Sequence, residues 1–85
     1  MPIISRFYGI IIAIYFRDHA PAHLHAKYAG DEALLTFDGR VLVGQLPPRA
    51  LVMVRDWMAV HRGELQENWR RAQIGEELAI IAPLE

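Results

Sequence analysis

The sequence predicts an α+β domain in which a mostly antiparallel sheet of four or five strands precedes one long C-terminal helix packed on one face. Three observations predict it. Up to Val43, apolar residues alternate or run in short β-branched stretches. Turn signals at Tyr8-Gly9, Gly30-Asp31 and Asp38-Gly39 divide those stretches at hairpin distances. After Leu46-Pro47-Pro48 the apolar period changes from two to three and four, which is the helical repeat.

The elements follow in order. Residues 3–6 form a short first strand, and residues 10–16 (IIIAIYF) read as a central strand buried on both faces. Residues 19–22 form a loop, because Pro21 lacks a donor and steers Ala20 away from helical angles. Residues 23–29 alternate, with Leu24, Ala26 and Tyr28 on one face and His23, His25 and Lys27 on the other. Strands at 32–37 and 40–43 follow. Leu51, Val54, Met58, His61, Leu65, Trp69 and Ala72 then mark one face of a helix from about residue 49 to about residue 73. At about 1.5 Å per residue it would be about 37 Å long. A compact chain of this length has a radius of gyration of only roughly 12 Å. The helix therefore bends near Gly63 or projects past the sheet. Gly75 is its expected stop, and Leu78 to Leu84 form a short apolar tail.

The 85 residues suit a single domain, residues 1–85, and 53% of them are apolar. That fraction is more than so small an interior can hide, so contact with another chain is expected. The second half of the helix and the tail are the expected contact surface. Cysteine is absent, which excludes disulfides and thiolate metal sites and fits the cytoplasm. Arg6 followed by an apolar run imitates a signal peptide. The run is too short to cross a bilayer, and Arg17-Asp18 follows at once, so it reads as a strand and no membrane role is expected. The formal charge is −1, divided as +2 over residues 1–30 and −3 over residues 31–85. A local surface that meets phosphate, RNA included, stays open. The acidic second half and the lack of a helix-turn-helix count against DNA binding.

The stretch Asp18-His19-Ala20-Pro21-Ala22-His23-Leu24-His25 holds three of the four histidines. Histidines at i and i+2 of a strand project side by side about 6.6 Å apart along the backbone, close enough to share an ion. His19 from the loop could add a third nitrogen. Three imidazoles and a water make the open zinc site that generates hydroxide near neutral pH. Asp18 is then a fourth ligand or an acceptor that orients an imidazole. The expected site is thus His19, His23, His25 and Asp18, with zinc or another divalent transition metal. The same histidines could instead transfer protons without a metal or contact phosphate, with Tyr8, Tyr15, Arg6, Arg17 and Lys27 completing a ribonuclease-like inventory. They could also be ordinary polar residues of a half-exposed strand. His61 falls on the helix's apolar stripe and reads as a core histidine. Trp57 and Trp69 read as packing, and Arg70-Arg71 as partners of the helix dipole.

A resemblance adds to this. The residues Pro2-Ile-Ile-Ser-Arg-Phe-Tyr-Gly-Ile10 and Tyr15-Phe16-x-Asp18-His19-x-Pro21-x-His23-x-His25-Ala26-x-Tyr28 resemble a small prokaryotic family known only as a domain of unknown function, family 4160. The likeness continues through Gly44-x-Leu46-Pro47-Pro48-Arg49-Ala50-Leu51, Trp57 and Glu67-Asn68-Trp69 to Ile81-x-Pro83-Leu84. Ala22 and Leu24 depart from it, where a second proline and an aromatic are expected; neither touches a histidine. Such proteins are often encoded beside a second small protein, as in toxin–antitoxin modules. The resemblance therefore implies a toxin–antitoxin-like component that binds the small protein of a neighbouring gene; a homodimer would satisfy the same apolar surfaces by two-fold symmetry. The second reading is a metal-dependent or histidine-based hydrolase acting on RNA or another phosphoester.

Overall fold

The computed structural model describes residues 2–85. Five strands, β1 (Ile3–Phe7), β2 (Ile10–Ala13), β3 (His23–Tyr28), β4 (Asp31–Thr36) and β5 (Val41–Gly44), precede two helices, α1 (Pro48–Val60) and α2 (Arg62–Ile74). The strands form an antiparallel meander in the order β1-β2-β3-β4-β5. β3 is therefore the central strand, not the isoleucine run. β2 ends at Ala13 because Ile14 leaves the ladder and donates its N–H to the Pro2 carbonyl. Arg17, at φ 55°, then turns the chain toward α2, and Phe16, expected inside, is 44% exposed.

The turns follow the residues that permit them. Gly44 (φ 80°) makes a close approach that only glycine allows, since a Cβ there would lie 2.1 Å from the Glu32 carbonyl oxygen. Tyr8, Arg17 and Ala29 are costly exceptions, and Tyr8 is the bulkier of the two that stand in hairpin turns. It occupies a left-handed conformation (φ 49°) that costs an L-residue about 1–2 kcal/mol, and its ring is exposed.

The expected single helix is two helices of 13 residues each. The break falls at His61, two residues before Gly63. His61 leaves helical angles (φ −113°), and its N–H is shared between the Trp57 and Met58 carbonyls. Its Nδ1 pairs with Glu64 at 2.6 Å in the first turn of α2, while its ring rests 5.4 Å from Trp57. It is a satisfied histidine, as its place on the stripe implied, but half-buried instead of in the core. Each helix spans about 20 Å at about 1.5 Å per residue. Both therefore fit a body of 33 × 26 × 21 Å without projecting. Ala50, Val54, Trp57 and Met58 of α1 and Leu65, Asn68 and Ala72 of α2 are buried. Gly75 caps α2 in the left-handed conformation, as expected. Arg70 and Arg71 pair with Glu67 instead of serving only the dipole.

The tail reverses an expectation. It does find core to enter, because the helical break leaves a slot beside β1. The Ile81 N–H donates to the Ile4 carbonyl, the Trp57 indole N–H donates to the Ala82 carbonyl, and Asn68 pairs with both the N–H and the carbonyl of Ala79. Ile81 is only 1% exposed.

Leu65→Ala should cost about 2–4 kcal/mol, because the side chain is fully buried. Removal of residues 76–85 should cost at least as much; urea unfolding measures both, and an undiminished midpoint in the truncated chain would show the tail to be dispensable. A pH effect follows from Glu67, whose carboxyl is lowered from 4.5 to about 2 by hydrogen bonds from Arg70 and then Arg71. Its contribution is complete above 4.5 and lost as pH falls toward 2. Glu67→Gln should therefore lower stability slightly in the neutral region and converge with the wild type as pH falls toward 2, which flattens the acid limb of the stability profile.

Candidate metal centre

Strand alternation aims His23 and His25 at the same side, and the loop from Tyr15 to Ala22 folds over them. The Arg17 N–H donates to the Ala72 carbonyl and the Gln73 amide donates to the Asp18 carbonyl, so α2 holds the loop in place. Asp18 Oδ2 then lies 2.9 Å from His23 Nε2 and 3.4 Å from His25 Nε2. One ligand atom from each of the three residues falls within 4.8 Å of the others. Tetrahedral zinc with bonds of about 2.0–2.1 Å needs ligand separations of about 3.3–3.4 Å. The group could hold such an ion after a small contraction.

The opposite edges of both rings are engaged. His23 Nδ1 lies 2.7 Å from the Pro21 carbonyl oxygen, which can only accept, so Nδ1 carries a proton. His25 Nδ1 lies 3.1 Å from a Glu32 carboxylate oxygen, which fixes the same tautomer. Both Nε2 atoms are thereby turned toward Asp18. Burial acts to raise the Asp18 carboxyl, but it is outweighed by the His19 backbone N–H and by His25 and His23, and the group titrates below its ordinary value. An ionised carboxylate only accepts. Each Nε2 must therefore bring a second proton, making an imidazolium, or share a cation with Asp18.

The expected open face is only partly open. The His23 side chain is 2% exposed, because Trp69 of α2 lies 5.4 Å from its ring and Phe37 backs Trp69 edge-on. The His25 side chain is 13% exposed, with Tyr15 edge-on at 4.3 Å. His19 stands apart from the expected convergence. Its side chain is 87% exposed and its Nε2 is 3.9 Å from the other Asp18 oxygen, Oδ1. Its backbone, not its imidazole, serves the site, by donating to Oδ1 at 2.9 Å. The Arg17 guanidinium lies against Gly75 at the end of α2.

Glu32 and Trp69 were not legible as site residues. Glu32 could have been found: His25 pairs with Leu34, so Glu32 is its diagonal neighbour on the same face once the 29–30 turn sets the register. Trp69 depends on the path of α2 and carries no local signal.

The family described as a domain of unknown function (DUF4160) matches residues 9–70. The chain belongs to the DUF4160 family. The match takes in Asp18, His23, His25, Glu32 and Trp69, and it brings no assigned activity. No curated protein and no solved structure matches this DUF4160 chain. Among the described residues no helix is long and apolar enough to cross a membrane.

The tautomers are measurable. Long-range ¹⁵N correlation spectra of the metal-free protein should show the His23 Nδ1 protonated across the neutral range. A spectrum with His23 Nδ1 unprotonated would remove the geometric basis of the site.

Proposed function

We propose that this DUF4160 domain binds a divalent transition metal, zinc foremost, through Asp18 Oδ2, His23 Nε2 and His25 Nε2, and that it acts as a metal-assisted hydrolase of phosphoesters. One observation carries the reading: Pro21 and Glu32 fix both Nδ1 atoms as donors, so two imidazole Nε2 atoms converge on one ionised carboxylate. Acceptors behind each imidazole are the usual support of a metal-binding histidine. Three protein ligands leave a tetrahedral ion one position for water, which such an ion makes a nucleophile near neutral pH. Trp69 and Tyr15 limit solvent around the imidazoles. His19, beside Asp18 but turned to solvent, suits proton exchange better than coordination. The +2 balance of residues 1–30 favours an anionic substrate such as RNA.

Calorimetric titration with zinc tests the metal. One equivalent should bind, and His25→Ala and Asp18→Asn should weaken it by about tenfold or more, whereas His19→Ala should leave it near wild type. Turnover of a phosphodiester by the zinc-loaded protein should fall in His19→Ala. Affinity indifferent to His25 and Asp18 would overturn the metal reading, and a zinc-loaded protein without turnover would overturn the hydrolase.

Partner binding in a toxin–antitoxin-like pair is the second reading, and a specific observation favours it. Val60 (73% exposed) and Ile80 (76% exposed) leave large apolar side chains in solvent beside the tail. The partner would be the small protein of a neighbouring gene or a second copy, in the cytoplasm. Light scattering over a tenfold concentration range, with and without that gene product, should show a mass increase that Ile80→Asp abolishes; a constant monomer mass would defeat it.

A further inference from the structure

A second concavity lies at the other end of β3 from His23, and on the opposite face from the histidines. It is a groove of about 630 Å³ between the β1–β2 turn and the start of α1, lined by Tyr8, Tyr28, Arg49, Val52 and Met53. Small-molecule sites commonly have volumes of about 300–1,000 Å³. One wall is a helix face, since Arg49, Val52 and Met53 recur at i, i+3 and i+4. The other wall is aromatic. The Tyr28 ring packs against Gly9, where an added Cβ would meet it at 3.4 Å.

Tyr8 stands in the turn itself, followed by Gly9 at φ 80°. Two successive positive-φ residues form a turn that prefers asparagine or glycine in its first central position. Tyrosine there is strained, and at 61% exposure its ring gains little from burial. Strain without burial in a residue lining a groove points to recognition, not stability. Arg49 is exposed and makes no hydrogen bond or ion pair among the described residues. No acidic side chain lines the groove, and the first turn of α1 contains none. The groove thus combines aromatic surface, an apolar floor and an uncompensated cation.

We propose that this groove binds a nucleotide, with the base against the tyrosine rings and the phosphate on Arg49. Aromatic faces accept any base by stacking, and guanidinium matches phosphate in charge and geometry. The site is independent of the metal centre, so either can fail without the other.

Chelator-treated protein, titrated calorimetrically with adenosine monophosphate and with a short single-stranded oligoadenylate, tests it. Saturable binding is expected, weakened by about tenfold in Arg49→Ala and in Tyr8→Gly and unchanged in Asp18→Asn. Tyr8→Gly relieves the backbone strain, so its melting temperature should equal or exceed wild type while binding falls. That pairing separates recognition from misfolding. Tighter, salt-sensitive binding of the oligonucleotide assigns the groove to a strand, and equal affinity assigns it to the free nucleotide. No saturable binding at millimolar nucleotide, equal affinity for inorganic phosphate, or indifference to both substitutions overturns the proposal.

Discussion

The break at His61 governs the second half of the molecule. A helix continued through this point would run off the sheet and carry Leu65, Asn68 and Ala72 into solvent. Donation of the His61 N–H to two carbonyls ends α1, and the pairing of its ring with Glu64 starts α2 at once in a new direction. The reversal buries one face of α2 and places Trp69 beside His23. It also opens the slot that Ile81 fills beside Ile4, with Trp57 and Asn68 holding the tail by their side-chain hydrogen bonds. A residue that looks like simple packing on the stripe is the corner around which the core closes.

The candidate metal centre depends on the same corner. The Tyr15–Ala22 loop meets β3 through the site's own side chains and the Pro21 carbonyl, and α2 holds its backbone by receiving the Arg17 N–H and binding the Asp18 carbonyl. Those two bonds add to the contacts that hold Asp18 over His23 and His25. The cluster is thus built from three sources: strand alternation aims the imidazoles, the Pro21 carbonyl and Glu32 set their tautomers, and α2 brings the carboxylate. Burial of His23 beside Trp69 lowers the local dielectric and strengthens whatever charge interaction Asp18 makes there. Either protons on the two Nε2 atoms or a shared cation would satisfy that carboxylate.

The two candidate sites differ in what they ask of the fold. At the histidines the polar groups are mutually engaged, half-buried and oriented by neighbours. At the tyrosine groove they are open, with an arginine that makes no ion pair among the described residues and a tyrosine held in strain. The first arrangement suits an ion that becomes part of the structure, and the second suits a ligand that comes and goes. They lie at opposite ends of β3 and on opposite faces, with the paired strands of the sheet between them.

By itself the sequence determined everything that depends on local periodicity and turn chemistry. The strand-rich first half, the turns at residues 8–9 and 38–39, the onset of helix at Pro48, the stop at Gly75 and the shared face of His23 and His25 all follow from spacing alone. The α+β class follows from the same signals. Only the tertiary structure decided what rests on long-range contact. A bend near Gly63 was legible from the length of the helix against the body, but the helical period is the same on both sides of His61, so the place and direction of the break show only where α2 has a surface to turn onto. The tail seemed to lack a core for the same reason. Asp18 joined the histidines and His19 did not, although both precede the strand. A backbone fixed by donating to the Ala72 carbonyl and accepting from the Gln73 amide, more than fifty positions away, chose which of the two side chains turned inward.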